Sequence, residues 1–430
     1  MKVSNKEKNV LRRLAVEYAE ICANKNNEDK RELWRKHHQL EKTRIPILCS
    51  WHAISLITPF ADSCICKQSM LRFIENTLRN RIYHATINDD FVFEPWITIP
   101  AIFKEYPVEI NPLQYRDWFR EGGLWGDKSC LKKNEPDTFT GSFKIEPIVK
   151  DVDDINQLSW VHHQVDYKKT AEIREIVQEA VGDTIGINMD TCPLYNFAWS
   201  GSDISTALAM FLGMNNLMVY VYEEPELIHA LAKFMQEAIL TTFDEAEEAG
   251  DWYPSEDTVT NVGMPYCKGM PDPTMEKGFK MKDLWYFTHA QEFTLMSPAM
   301  HEEFALQYQI PIIEKFGLSS YGCCEDLSRK IDMLRQIKNL RKISVTPSAD
   351  VAKCAEQIGT DYVLSWKPNP TYICNDFDED KTRKYIRKGL KEAEGCIVDI
   401  MLKDVSTLQG DMSRLKKWTD IVRGESEAFL

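Results

Sequence analysis

Two periodicities alternate along the last third of the chain, and that alternation limits the possible folds more than any other feature. LSSYGCC, KISVT, YVLSW and CIVDIMLK are short apolar runs of strand character. Between them lie DLSRKIDMLRQIKN, SADVAKCAEQIG and DEDKTRKYIRKGLKEAEG, whose apolar residues recur at helical spacing. Strand and helix alternating at this interval imply parallel strands joined by right-handed crossovers. TIGINM, TVTNVG and DLWYFT add earlier strands, about eight such units over residues 85–410. The count predicts an α/β fold, a closed (β/α)8 TIM barrel over residues 81–430. Residues 1–80 are expected to be an N-terminal helical extension, with Leu11, Leu14, Ala15 and Tyr18 as its apolar stripe. No GxGxxG or GxxxxGK[ST] loop follows a strand, which argues against an open nucleotide-binding sheet.

Charge and composition narrow the partners. The chain carries 52 basic and 66 acidic residues, a net charge of −14, and such a surface repels phosphate backbones. Nucleic acid is therefore not an expected partner. The first residues, MKVSNKEKNVLRRLAVEYAEI, lack the apolar centre of a signal peptide, and no run approaches the ~20 apolar residues that span a bilayer. A cytoplasmic protein without membrane contact is the expectation, with its 12 cysteines as reduced thiols.

In a barrel of this kind the chemistry sits at the carboxyl ends of the strands. Those ends are Asp190, Thr191 and Cys192; Asn261; His289, Gln291 and Glu292; Tyr321, Cys323, Cys324 and Glu325; Thr346 and Pro347; Trp366 and Lys367; Lys403, Asp404 and Thr407. Cys323–Cys324–Glu325 is the most informative group, because adjacent soft and hard donors at a strand end can hold a metal. A catalytic zinc takes about three protein ligands and keeps one position open. His289 and Glu292, from the preceding strand end, can complete a set with one cysteine. The plainer reading makes the cysteines two small buried residues and His289 a rim residue, and spacing alone leaves both open.

Other candidates read more plainly. Cys64 and Cys66 fit a loop with two ordinary thiols, and His162–His163 and His37–His38 fit solvated pairs. Asp89–Asp90 fits a turn at a strand start, and Lys403–Asp404 fits either a buried ion pair or a substrate clamp. Aromatic residues near the expected mouth include Trp96, Tyr195, Phe197, Trp199, Trp285, Tyr321 and Trp366; a subset lining a pocket suits a flat apolar ligand.

Three segments carry a resemblance. NDDFVFEPWITIP, HAQEFTLMSPAMHEEFALQYQIPIIEKFGLSSYGCCEDL and LRKISVTPSADVAKCAEQIGTDYVLSWKPNP resemble the uroporphyrinogen decarboxylase superfamily, and more closely its corrinoid-dependent methyltransferase-like branch, of the O-demethylase methyltransferase I type. The likeness runs from about residue 40 and is strongest over 284–404. It implies a (β/α)8 barrel, as the strand count does. IPILCSWHAISL stands where decarboxylases carry an arginine-rich motif, and it has no arginine. The methyltransferase branch holds zinc with a His-x-Cys pair and a later cysteine; Tyr321–Gly322–Cys323 falls at the pair, so only Cys323 matches, and the later cysteine falls near Trp366.

The resemblance implies an enzyme moving a methyl group from a small methylated substrate, such as an aryl methyl ether, to the cob(I)alamin of a partner corrinoid protein. The alternatives are methylcorrinoid-to-thiol transfer, a metal-free decarboxylase, or a tetrapyrrole-binding protein. The expected metal ligands are His289, Cys323, Cys324 and Glu325, with zinc as the cofactor. Glu292, Tyr321 and Asp190 are the expected catalytic residues, and Asn261, Trp199, Trp366 and Lys367 the expected substrate contacts. A homodimer is expected because superfamily members are often dimers.

Overall fold

The computed structural model describes residues 3–50, 54, 60–104, 131–133, 143–145, 147–193, 203–256 and 263–429. The chain opens with α1 (Asn5–Cys22), started by a reciprocal cap in which the Glu7 N–H bonds Ser4 Oγ while the Ser4 N–H reaches the Glu7 carboxylate. Leu11, Leu14, Ala15 and Tyr18 form its buried face, as the stripe predicted. α2 (Asn26–His38) follows, then β1 (Ile47–Cys49), α3 (Ser69–His84) and β2 (Trp96–Pro100). Leu131–Lys133 (β3) and Phe143–Ile145 (β4) pair antiparallel. α4 (Tyr167–Val181) ends at Gly182, whose positive φ of 88° suits glycine. Next come β5 (Gly186–Asp190), α5 (Ile204–Leu212), α6 (Met214–Glu223) and α7 (Pro225–Ala249).

From β6 (Trp285–Thr288) onward the expected alternation is seen. β7 (Leu318–Tyr321), β8 (Leu340–Val345), α8 (Val351–Ile358), β9 (Val363–Trp366), α9 (Glu379–Glu392), β10 (Ile397–Leu402) and α10 (Ser413–Phe429) succeed one another. Between β6 and β7 the helix beginning at Pro298 does not break at Pro311. The adjustment falls a turn earlier, where Glu302–Leu306 widens to π geometry, and Gln307–Ile313 then carries the proline inside it.

Six parallel strands pair in the order β1-β10-β9-β8-β7-β6 and curl into a partial barrel, while β2 and β5 form a separate parallel pair. The closed barrel expected from the strand count is thus not seen among the described residues. Where the chain enters β2, side chains extend a backbone bond from the Asp90 N–H to the Ile47 carbonyl at 2.7 Å: Asp90 Oδ2 takes the Ile47 N–H at 2.9 Å and Asp89 Oδ2 takes the Cys49 N–H at 2.8 Å. The two aspartates sit in a bend ahead of β2, as the strand-start reading has it, but both are buried and tie β1 to the following segment. Between β5 and β6 the expected strand TVTNVG lies outside the described residues apart from Gly263. The sheet also begins earlier than residue 81, since Ile47–Cys49 pairs with Ile400–Leu402.

Period-two alternation separates the two faces of the sheet. Ile343, Val345, Leu364, Trp366, Ile400 and Leu402 belong to the main apolar core with the helices. Lys342, Ser365 and Asp399 occupy the other face, the interior. α2 plugs it: Lys342 Nζ lies 5.3 Å from the Trp34 ring centre, and His37 Nε2 lies 3.2 Å from Asp399 Oδ2. His37 and His38 are both buried, which corrects the reading of a solvated pair. In the other histidine pair only His162 is exposed; His163 is buried 2.7 Å from Asp251 Oδ2. Among the described residues no single helix is long and apolar enough to cross a membrane, and the bent α5–α6 pair passes that test only by length and composition.

Candidate active site

The carboxyl ends of β6 and β7 bring two groups of chemistry together. The first centres on His289, immediately after β6, and Glu292, in the tight turn Gln291–Phe293. Asp203 reaches them from the start of α5, where it also caps the helix by accepting the Ser205 N–H at 3.1 Å. The donor atoms of Asp203, His289 and Glu292 all lie within 4.8 Å of one another. His289 Nδ1 stands 3.0 Å from Asp203 Oδ2, an ion pair when the imidazole is protonated, though the geometry is not that of an aligned hydrogen bond.

Two hydroxyls bridge the two carboxylates. Ser205 Oγ lies 2.9 Å from Asp203 Oδ1 and 2.6 Å from Glu292 Oε2. Thr206 Oγ1 contacts Asp203 Oδ2 and lies 2.9 Å from Glu292 Oε1. Asp203 Oδ1 also accepts the Ser205 N–H at 3.1 Å, and Glu292 Oε1 accepts from Gln291 Nε2 at 3.2 Å, so backbone, amide and hydroxyl donors converge on the two carboxylates. Burial, and then the adjacent Asp203 charge, push the Glu292 carboxyl above the usual range. Burial works against the charged form of His289, yet Asp203 outweighs it and raises the imidazole to about 10. The protonated imidazole supplies one positive charge beside the carboxylates; with that proton released, two carboxylates and one imidazole are also a donor set for a divalent cation.

The second group is the thiol pair. β7 ends at Tyr321, and Gly322 turns the chain with φ 101°, a value that favours glycine. A Cβ there would also stand 2.7 Å from Leu327 Cδ1. The turn exposes Cys324 and leaves Cys323 half-buried, with the sulfurs 3.5 Å apart. Lys403, one residue beyond β10, donates to the Cys323 carbonyl at 3.1 Å, to Cys323 Sγ at 3.3 Å and to Cys324 Sγ at 3.4 Å. The Cys323 hydrogen bond, then Lys403, overcome burial and lower the Cys324 thiol to about 7; Cys323 is driven well up. The pair is best described as a Cys323 thiol donating to a Cys324 thiolate.

Several expected site residues have other surroundings. Glu325 is fully buried, and its oxygens accept the Ala290 N–H at 2.9 Å and the Cys323 N–H at 2.8 Å. It ties the two strand ends together and is committed to backbone donors. Neither cysteine belongs to the three-donor group with His289. Tyr321 faces the helix layer, donating to Gln309 Oε1 at 2.8 Å with His301 Nε2 at 2.7 Å. Trp366 faces the same way, against Tyr385 and Gly389 of α9. Both departures follow from strand parity: the interior positions are Lys342, Ser365 and Asp399, and Tyr321 and Trp366 belong to the outward set.

Lys367 does lie inside, fully buried, and bonds Ser365 Oγ at 2.5 Å; burial lowers its amine to about 7. Asp190 joins a different network, accepting the Tyr253 hydroxyl at 3.0 Å, with Lys277 Nζ 3.1 Å from the Tyr253 ring centre. Burial raises its carboxyl despite Lys277. Asn261 and Trp199 lie outside the described residues. Sequence reasoning missed Asp203, Ser205 and Thr206, because an Asp before an apolar helix reads fully as a cap.

No protein-family model and no curated protein matches the chain. Among solved structures it is similar to a methyltransferase from Methanosarcina mazei, with 14% identity, a TM-score of 0.48, and an alignment covering 93% of this chain and 98% of that one.

Proposed function

We propose that the chain is a methyltransferase that moves a methyl group from a small methylated donor, such as an aryl methyl ether, to the cob(I)alamin of a partner corrinoid protein. The reading takes the strands as a closed barrel with the site at their carboxyl ends. The resemblance of residues 284–404 suggests the reaction class. The observation that carries the reading is the Asp203–His289–Glu292 group, whose ligand atoms lie within 4.8 Å of one another, Asp203 and His289 buried and Glu292 half-buried.

The sulfur-based zinc set that the resemblance implies does not fit as expected, since Glu325 is occupied and Tyr321 points outward. Asp203, His289 and Glu292 offer a donor set in its place, with ligand atoms within 4.8 Å of one another, once His289 has released its proton. Zinc bound there would polarise the donor oxygen, which makes a basic alkoxide or phenoxide a better leaving group.

The chain's own residues supply the remainder. Ser205 and Thr206 fix the carboxylates of Asp203 and Glu292 from behind, so neither rotates when a donor enters. Glu325 ties the β6 and β7 ends together through the Ala290 and Cys323 N–H groups, which fixes the strand end that carries His289. Lys403 sets a positive charge at the mouth, which favours development of negative charge on a leaving oxygen.

The test mixes the enzyme with reduced corrinoid protein and a panel of methyl ethers, amines and thiols, following loss of the cob(I)alamin absorbance. Methyl transfer from at least one ether, together with stoichiometric zinc that is lost in Asp203→Asn and His289→Gln, supports the proposal. No absorbance change across the panel overturns the reaction, and zinc retained in both variants overturns the ligand set.

A further inference from the structure

We infer that Cys323 and Cys324 form a two-sulfur clamp for a neutral trivalent arsenical, a site separate from the Asp203–His289–Glu292 group. The sulfurs stand 3.5 Å apart, and Cys324 is open to solvent. Two bonds of about 2.3 Å from sulfur to one soft atom, meeting at about 100°, span that gap without moving the backbone.

The competing outcome for adjacent thiols, a disulfide, is poorly served. Neighbouring Cα atoms stand about 3.8 Å apart across a trans peptide. An ordinary disulfide wants at least about 4.4 Å. Insertion of a bridging atom keeps the sulfurs where they are, whereas direct S–S bonding requires them to close.

Charge selects among thiophilic ligands. Lys403 Nζ lies within 3.4 Å of both sulfurs and 3.4 Å from Asp404. A cation approaching the sulfurs meets this ammonium head on, but an uncharged arsenous species does not. The ammonium also favours the attacking thiolate. The step balances without any oxidant: each sulfur forms a bond to arsenic, the two displaced hydroxides leave as water, one with the Cys323 thiol proton and one with a proton from solvent, and arsenic remains trivalent.

The test uses phenylarsine oxide on the whole protein, read by intact mass and independent of methyl transfer. One phenylarsenic adduct per chain is expected, reversed by a small dithiol and not by an equal concentration of monothiol. Cys324→Ser, a change at an exposed position, removes the dithiol-only reversibility. Lys403→Met slows addition at pH 6.5 by about tenfold, in proportion to the lost thiolate. An adduct of undiminished stability in Cys324→Ser, or one that maps to Cys64 and Cys66, overturns the assignment. Tighter retention of a divalent cation than of the arsenical at the same thiols also overturns it. Loss of methyl transfer with the adduct intact leaves the clamp standing and counts only against the proposed reaction.

Discussion

Lys403 Nζ stands 3.4 Å from Cys324 Sγ, so an ammonium on the end of β10 holds a thiolate on the end of β7. With the Cys323 hydrogen bond as the larger cause and Lys403 beside it, this exposed sulfur should titrate below an ordinary cysteine. Alkylation of Cys324 by iodoacetamide, read by peptide mass, is expected to reach half its maximal rate near pH 7. Lys403→Met should move that midpoint upward by about one pH unit, and an unchanged midpoint would show that Cys323 alone sets it.

Asp399 and Lys342 form an ion pair at 2.6 Å on the inner face of the curled sheet, both fully buried. Burial opposes both charges, yet Lys342 and His37 hold the Asp399 carboxyl far below the usual range. Asp399→Asn leaves the ammonium without its counter-charge and should cost about 3–5 kcal/mol in urea unfolding. The double variant Asp399→Asn/Lys342→Met should recover a substantial part of that loss. Equal losses in the single and double variants would mean that the packing, not the charge, had been measured.

Lys367 sets a pH window. Its amine is near 7 in the folded protein and near 10.4 when unfolded. Between these values the unfolded chain holds a proton that the folded chain has released, so stability from this group rises with pH across the window. Below about pH 7 both states are charged and the full cost of burying the ammonium is felt. Lys367→Met should therefore stabilise the protein at pH 6 by on the order of 3 kcal/mol, with the gain fading towards pH 10. A gain that does not vary with pH would disprove the account.

Gly389 of α9 is where the Trp366 ring enters the helix layer. A Cβ at this position would stand 2.2 Å from Trp366 Cη2. Gly389→Ala should thus lower stability by about 1–3 kcal/mol through overpacking, despite the better helix propensity of alanine. Trp366→Phe in the Gly389→Ala background should return part of the loss, measured by thermal unfolding. A stabilised Gly389→Ala protein would remove Trp366 from the outer layer.

Local periodicity was enough to locate the strands and helices from residue 284 onward, because alternation with period two and recurrence near 3.6 are properties of consecutive residues. The strand ends followed directly, and His289, Glu292, Cys323 and Cys324 do stand at one end of the sheet. What parity along a strand leaves open is which set of alternating residues faces inward. Tyr321 and Trp366 took the outward set only because helices cover that face, while Lys342, Ser365 and Asp399 compensate one another within the interior. Asp203 shows the same division: as a helix cap it is legible from its neighbours, but its meeting with His289 and Glu292 spans some 86 residues and depends on how α5 lies against the β6 end. Sheet closure is likewise a long-range property, in which the Asp89 and Asp90 side chains supplement one backbone bond between Asp90 and Ile47. Consecutive residues carried the kind of fold and the addresses of the reactive groups; their partners were decided by contacts between distant segments, where burial and charge compensation outweigh local preference.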